Sequence, residues 1–328
     1  MTRLLAVELR RLFSRGLVVL TMVGALAASL LLLLGVWQSS QPMSDAELAQ
    51  AEEMYEQELE RWEEHGEEAV AQCREDEERE AELTGQAVDF GCEQMAPQRE
   101  WYVWGAPPLE DSMPNTLGGV APLLVFVTAL IGATFTAAEL STGSMSTWLS
   151  FEPRRLRVYA SKVLAAGLGV VPVALLSVLV VVAGAYLIGD HFGLADGFGS
   201  TEWADAAWTG LRLLGLGVLA ALAGAALGFL LRHTAAVLGV GLVYLIGEQM
   251  VAGLLPGTRP WVLTTNISGW VRNGTVYYTD DCTTGAGGTV CEMVEHTLSF
   301  GHSAVYLLAV TVVVLAVGAL VFRRRDAV

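Results

Sequence analysis

GLVVLTMVGALAASLLLLLGVW, residues 16–37, decides the fold class: it holds no charged side chain, and the run from Leu30 to Leu34 shows no alternation of apolar and polar positions. Crossing the hydrocarbon takes about 20 predominantly apolar residues. With no water to satisfy backbone groups in lipid, such a run must be a helix. A membrane β-barrel would instead show short alternating segments. Five more stretches qualify by the same test: 115–138, 160–188, 207–231, 234–254 and 303–322. The expectation is an all-α polytopic membrane protein with six spans. Basic residues precede the first span and a small-residue stretch (Ala25-Leu26-Ala27) lies within it. Its apolar run is longer than the roughly 7–15 residues of a signal-peptide core, so it reads as a retained anchor.

Composition agrees. The apolar fraction is 53%, mean hydropathy is +0.48 and 16% of residues are charged, against about 25% in soluble domains. The net charge of −16 is unevenly placed. From Gln38 to Met113 stand 22 Asp/Glu and four Arg (Arg61, Arg74, Arg79, Arg99), a net of −18, so the remainder sums to +2. One membrane domain with one small acidic insert at 38–114 is the natural division.

Basic residues orient the spans. Arg3, Arg10, Arg11, Arg15, Arg154, Arg155, Arg157, Lys162, Arg232 and Arg323–Arg325 fall on one side. The opposite connections hold none at 189–206 and only Arg259 and Arg272 at 255–302. Both termini, and the basic tail 323–328, are therefore expected in the cytoplasm of a cell-membrane protein, with the acidic loop and the last loop outside. Cys73 and Cys92 fall in the first outer loop, Cys282 and Cys291 in the last. An even pair in each oxidising loop predicts Cys73–Cys92 and Cys282–Cys291 bridges, although four cysteines allow three connectivities. No Cys-x-x-Cys occurs and His296 and His302 lack matched spacing, so no metal site is expected.

Residues 1–15 read as a basic amphipathic helix, with Leu5, Leu9, Leu12 and Phe13 on one face and Arg3, Arg10, Arg11 and Arg15 on the remaining arc, suited to an inner membrane surface. The acidic insert opens on Ser44-Asp45-Ala46-Glu47, a helix-start signature. A charged helix to about Glu82 follows, with a sparse stripe of Leu48, Tyr55, Trp62 and Ala69. The tail holding Phe90, Cys92, Pro97, Trp101, Tyr102 and Trp104 is expected to fold back on it.

The most informative connector is 139–159. Met145, Trp148, Leu149 and Phe151 are too apolar for water on a short link, which implies a short helix docking on a partner. Arg154, Arg155 and Arg157 follow at the membrane edge. At these residues the chain resembles the permease subunits of type-2 ABC exporters, above all a branch from high-GC Gram-positive bacteria with an acidic, disulfide-tied outer loop. In that family an interfacial helix leads into six spans, and the loop after the second span carries Glu-x-x-x-Gly-(Ser/Thr), then Pro-x-Arg, then a Lys opening the third. Those positions here are Glu139, Gly143, Ser144, Pro153, Arg155 and Lys162. The resemblance implies that 139–157 is the coupling loop of a substrate pathway. It would be driven by a separate ATPase subunit that binds ATP and Mg, and the pathway would be formed with a second permease copy or a close homologue. No Gly-x-x-x-x-Gly-Lys-(Ser/Thr) loop occurs, and the only lysine follows Ala160-Ser161, so ATP hydrolysis is expected on that partner and not on this chain. No nucleic-acid partner is expected.

Charged residues inside spans are functional candidates by default. Arg212 and Glu248 each lie about six residues from the same end of neighbouring spans, roughly 9 Å deep at 1.5 Å per residue. They are expected to pair, with Glu248 a candidate outer gate. Phe126, Thr128, Phe135, Thr136, Tyr244 and Glu248 occupy positions where the family's central cavity would lie. Ala220, Gly224 and Gly228 have the four-residue spacing of close helix contact. Two rivals remain. An intramembrane protease would need a buried nucleophile and base at one depth, whereas Ser141 and Ser144 lie at a membrane edge and His233 in a turn. A non-transporting sensor using the same ATPase-coupled fold would employ the acidic domain as its sensing element.

Overall fold

The apolar runs form helices, interrupted once, at Val170 in the third span. In the computed structural model, which describes residues 2–85, 88–145, 150, 152–285 and 288–324, six helical segments are long and apolar enough to cross a membrane. They are α2 (Gly16–Ser39), α4 (Leu109–Ser141), α5 with α6 (Arg155–Gly169 and Val171–His191), α7 (Ser200–Leu231), α8 (Thr234–Leu254) and α10 (Phe300–Arg324). The chain is an all-α multi-pass membrane protein. Most spans outrun the apolar windows: α4 begins six residues before 115 and α5 five before 160. Hydropathy marks only the part that must lie in hydrocarbon, and helices continue into the interface. The third span bends at Val170, just before Pro172, whose ring removes a backbone donor.

The chain divides into two compact units. One holds the residues up to Gln38, Pro108–Thr279 and the residues from Glu295. Its centre is the α4–α7 pair, where small residues let backbones touch. A Cβ on Gly132 would overlap the Ala221 carbonyl oxygen, and one on Gly224 would overlap that of Ala129. Thr136 Oγ1 donates to the Ala225 carbonyl across the same seam at 2.9 Å. Ala221, Gly224, Ala225 and Gly228 are buried, whereas Ala220 is only half-buried. The expected contact line is therefore present, turned by one residue at its start. α2, α8 and α10 leave most of their apolar surface uncovered by protein.

The expectation of a plain loop at 255–302 is corrected. After a 3-10 turn at Pro256–Trp261 come α9 (Leu263–Val271) and two paired strands, β1 (Gly274–Gly285) and β2 (Gly288–Ser299). The β-branched and aromatic residues Thr275, Val276, Tyr277, Tyr278 and Thr279 favour a pleated surface, a signal masked in the sequence by the surrounding glycines. The last span then begins at Phe300 rather than at 303.

The second unit comprises Ser39–Pro107 and Asp280–Val294. α3 (Asp45–Thr84) starts on a capping box, with Ser44 accepting from the Glu47 amide and Glu47 accepting from the Ser44 amide, and stops at Gly85 in a left-handed conformation (φ 71°). The tail returns along α3: Cys92 is bonded to Cys73, Phe90 N donates to Glu77, Arg74 pairs with Glu93, Arg99 pairs with Glu52, and the Tyr102 ring lies 5.7 Å from Tyr55. Cys282 and Cys291 form the second bridge, across β1 and β2. The acidic insert is thus a helix clamped by its own tail.

Candidate functional site

α1 (Thr2–Phe13) carries one acid, Glu8, and the third span carries the only lysine. The fold brings them together. Lys162 Nζ lies 2.7 Å from Glu8 Oε2 and 2.5 Å from Glu139 Oε2. Glu139 Oε1 accepts from Arg15 Nη2 at 2.6 Å, and Arg15 Nη1 also donates to the Thr134 carbonyl. Lys162 and Glu8 are wholly buried, and Glu139 nearly so. Phe135, one turn before Glu139, places its ring beneath both cations, 4.9 Å from Lys162 Nζ and 5.2 Å from Arg15 Cζ.

The electrostatics explain why four charges occur together. Removing an ion from water costs several kcal/mol, and attraction offsets it only with close partners and balanced charge. Here two carboxylates face Lys162 and Arg15 at close range, with the half-exposed Arg11 a more distant third cation at 4.0 Å from Glu8. Glu139 occupies the last turn of α4, where the helix dipole disfavours a carboxylate; Arg15 and Lys162 outweigh that. The cluster joins four pieces of chain: α1, the α1–α2 turn, the end of α4 and the middle of α5. Glu139 and Lys162 flank the 142–154 connection, so their bond closes its base. α1 is seated by packing as well, with Leu12 against Gly169, where a Cβ would be 3.0 Å from the leucine methyl.

The connector itself begins in an ordered way. Gly143 turns left-handed (φ 71°) and donates to the Leu140 carbonyl, ending α4. Ser144 Oγ reaches back to the Glu139 carbonyl at 3.3 Å, and Thr142 Oγ1 to that of Ala138 at 2.8 Å. The Glu-x-x-x-Gly-Ser pattern is therefore a helix stop that holds Glu139 in place. Met145, expected to dock on a partner, is instead buried in this chain's own apolar core with Leu12 and Phe135, which already cover its side chain. Pro153 precedes the first turn of α5, where Arg157 pairs with Glu152 at 3.5 Å. Arg154 is exposed and Arg155 half-buried. Trp148, Leu149 and Phe151, expected to dock on a partner, lie outside the described residues.

At the opposite end of the bundle the expected Arg212–Glu248 pair does not form. The Glu248 carboxylate accepts from the Leu263 and Thr264 amides, at 2.9 and 3.2 Å, and so caps the start of α9. Arg212 Nη1 donates to the Val271 carbonyl at the end of α9, and Trp270 Nε1 donates to the Arg212 carbonyl. Each charge binds the helix end of opposite polarity. The short helix, unseen in the sequence, offered both side chains better partners than each other.

The cavity candidates separate. Thr128, Phe135 and Thr136 are fully buried in packing, with Thr128 Oγ1 bonded to the Leu124 carbonyl. Phe126 and Tyr244 face outward, 56% and 48% exposed. These six positions do not gather round one space within a single chain.

Glu8 and Arg15 were missed as members of the site, although a signal existed. Glu8 falls at the spacing of Leu5, Leu9 and Leu12, a lone carboxylate on an apolar face. Compared with protein-family models, curated proteins and solved structures, the chain matches none of them.

Proposed function

We propose that this chain is the transmembrane subunit of an ATP-driven exporter of the type-2 ABC class, with the 139–157 connector as the seat of a separate ATPase subunit. The observation that carries the reading is the buried ion cluster at the base of that connector. A force applied to the connector reaches the second span through Glu139 and the third through Lys162. Through Glu8 and Arg15 it also reaches α1 and the first span. Four elements bonded at one point are suited to moving together, as alternating access between two half-bundles requires. On this reading both termini lie in the cytoplasm, the acidic unit lies outside the cell membrane, and two copies enclose the path. Phe126 and Tyr244, outward-facing in one chain, are then available to a surface shared by two.

The test is co-purification of the tagged chain with its ATPase, followed by hydrolysis and transport assays in lipid. Trp148→Ala and Arg155→Ala are expected to leave the spans folded while separating hydrolysis from export. Normal export by both variants would sink the assignment.

One observation favours a second reading, a non-transporting sensor: the acidic insert belongs, with Asp280–Val294, to a compact unit separate from the spans. Hydrolysis that responds to deletion of residues 45–104 with no substrate moved in either form would favour it.

A further inference from the structure

α1 has two faces, and the apolar one is spent. Leu12 is buried in the core of the bundle, Leu5 and Leu9 pack against it, and Glu8 is sealed on Lys162. The opposite face is exposed and reads Arg3, Ala6, Val7, Arg10, Phe13 and Ser14, at intervals of three and four. This differs from the sequence expectation, which grouped Phe13 with the leucines. Because the helix's only carboxylate is turned inward, the outer face carries cations alone. Among the described residues, neither Arg3 nor Arg10 has an acidic partner.

We propose that this face binds the headgroups of anionic phospholipids. The span α2 begins at Gly16, three residues after Phe13, so α1 is held at the level where hydrocarbon gives way to headgroups. A guanidinium fits a phosphate with two parallel hydrogen bonds. Val7 and Phe13, 40% and 42% exposed, offer the arginine stems a shallow apolar footing. With Leu5, Leu9 and Leu12 engaged by protein, Val7 and Phe13 are the large apolar side chains left exposed on α1, so the attachment is mainly electrostatic and selects for charge. Arg11 Nη1 stands 4.0 Å from Glu8 Oε1 with its side chain 41% exposed. A headgroup bound beside it therefore lies next to the ion cluster and is placed to bias it. The proposal does not rest on the exporter reading.

The experiment uses the full chain in detergent with phosphatidylglycerol and phosphatidylcholine at equal concentration, and counts retained lipids by native mass spectrometry. Preferential retention of phosphatidylglycerol is expected, weakening as salt rises. Arg3→Gln and Arg10→Gln should each lower the preference about fivefold, with no change in melting temperature because both residues are exposed. Arg3→Lys/Arg10→Lys keeps the charge and should keep most of the preference, which separates headgroup binding from a folding defect. Equal retention of the two lipids by the unmodified chain, or an unaltered preference in Arg3→Gln/Arg10→Gln, overturns the proposal.

Discussion

Lys162 and Glu8, separated by 154 positions in sequence, hold their charged atoms 2.7 Å apart with both side chains wholly buried. This bond attaches α1 to the third span. The same ammonium also bonds Glu139, so one lysine supports two carboxylates that would otherwise repel each other in a low-dielectric setting.

Lys162→Met should therefore cost about 3–5 kcal/mol, the range for stranding a buried charge. Glu8→Gln added to Lys162→Met should recover part of that loss, because one stranded carboxylate is gone. Thermal unfolding of the purified variants in detergent measures both. If the single and double variants melt alike, Glu8 and Lys162 are not coupled.

Gly224→Val should destabilise the bundle by about 1–3 kcal/mol, the usual cost of forcing extra methyls into a packed seam, because its side chain would meet the Ala129 carbonyl. Gly239→Val on the fifth span meets nothing within 4 Å and should leave the melting temperature unmoved. Equal melting temperatures for the two variants would refute the α4–α7 seam.

Exchanging the charges, Arg212→Glu with Glu248→Arg, should not restore stability. Each new charge would sit at the α9 end whose polarity repels it. Glu248→Ala alone removes a cap, worth about 0.5–2 kcal/mol, so amide exchange across 263–271 should speed up by up to about 30-fold. Recovery of slow exchange in the double exchange variant would mean that Arg212 and Glu248 pair after all.

Acid should fray the first turn of α3. Hydrogen bonds from the Ser44 hydroxyl and amide hold the Glu47 carboxyl below its ordinary value of 4.5. Unfolding raises that pKa, so the capping box contributes stability above pH 4.5 and loses it as pH falls through the lower folded value. Further along the helix, protonation relieves repulsion among acids three and four residues apart. NMR shifts across pH 3–7 should show loss of order at 44–48 without loss in the middle of α3. Uniform behaviour along the helix would argue against the cap.

The spans, the α3 start and the two disulfide pairings were legible because each depends on local chemistry: an apolar run, a Ser-x-x-Glu box, or two cysteines in one loop. α9 was not, since Leu263–Val271 is too short for its periodicity to stand out among glycines and prolines. Missing α9 made Arg212 and Glu248 look like partners, as two charges at one depth do when nothing is known to lie between them. Glu139 and Lys162 were found through a motif, whereas their contact with Glu8 and Arg15 spans more than a hundred residues in the chain and leaves no trace in local pattern.

The distance in sequence between Glu8 and Lys162 also fixes an order of events during biosynthesis. At roughly 5–20 residues per second of translation, Glu8 leaves the ribosome on the order of 10–30 s before its lysine. Throughout that interval α1 has neither its ionic partner nor Gly169 to pack on, so it waits in water or on the bilayer surface while two spans insert. Docking of the first helix is therefore a late step, open only after the third span has entered the membrane, and a nascent chain arrested before Lys162 carries α1 undocked.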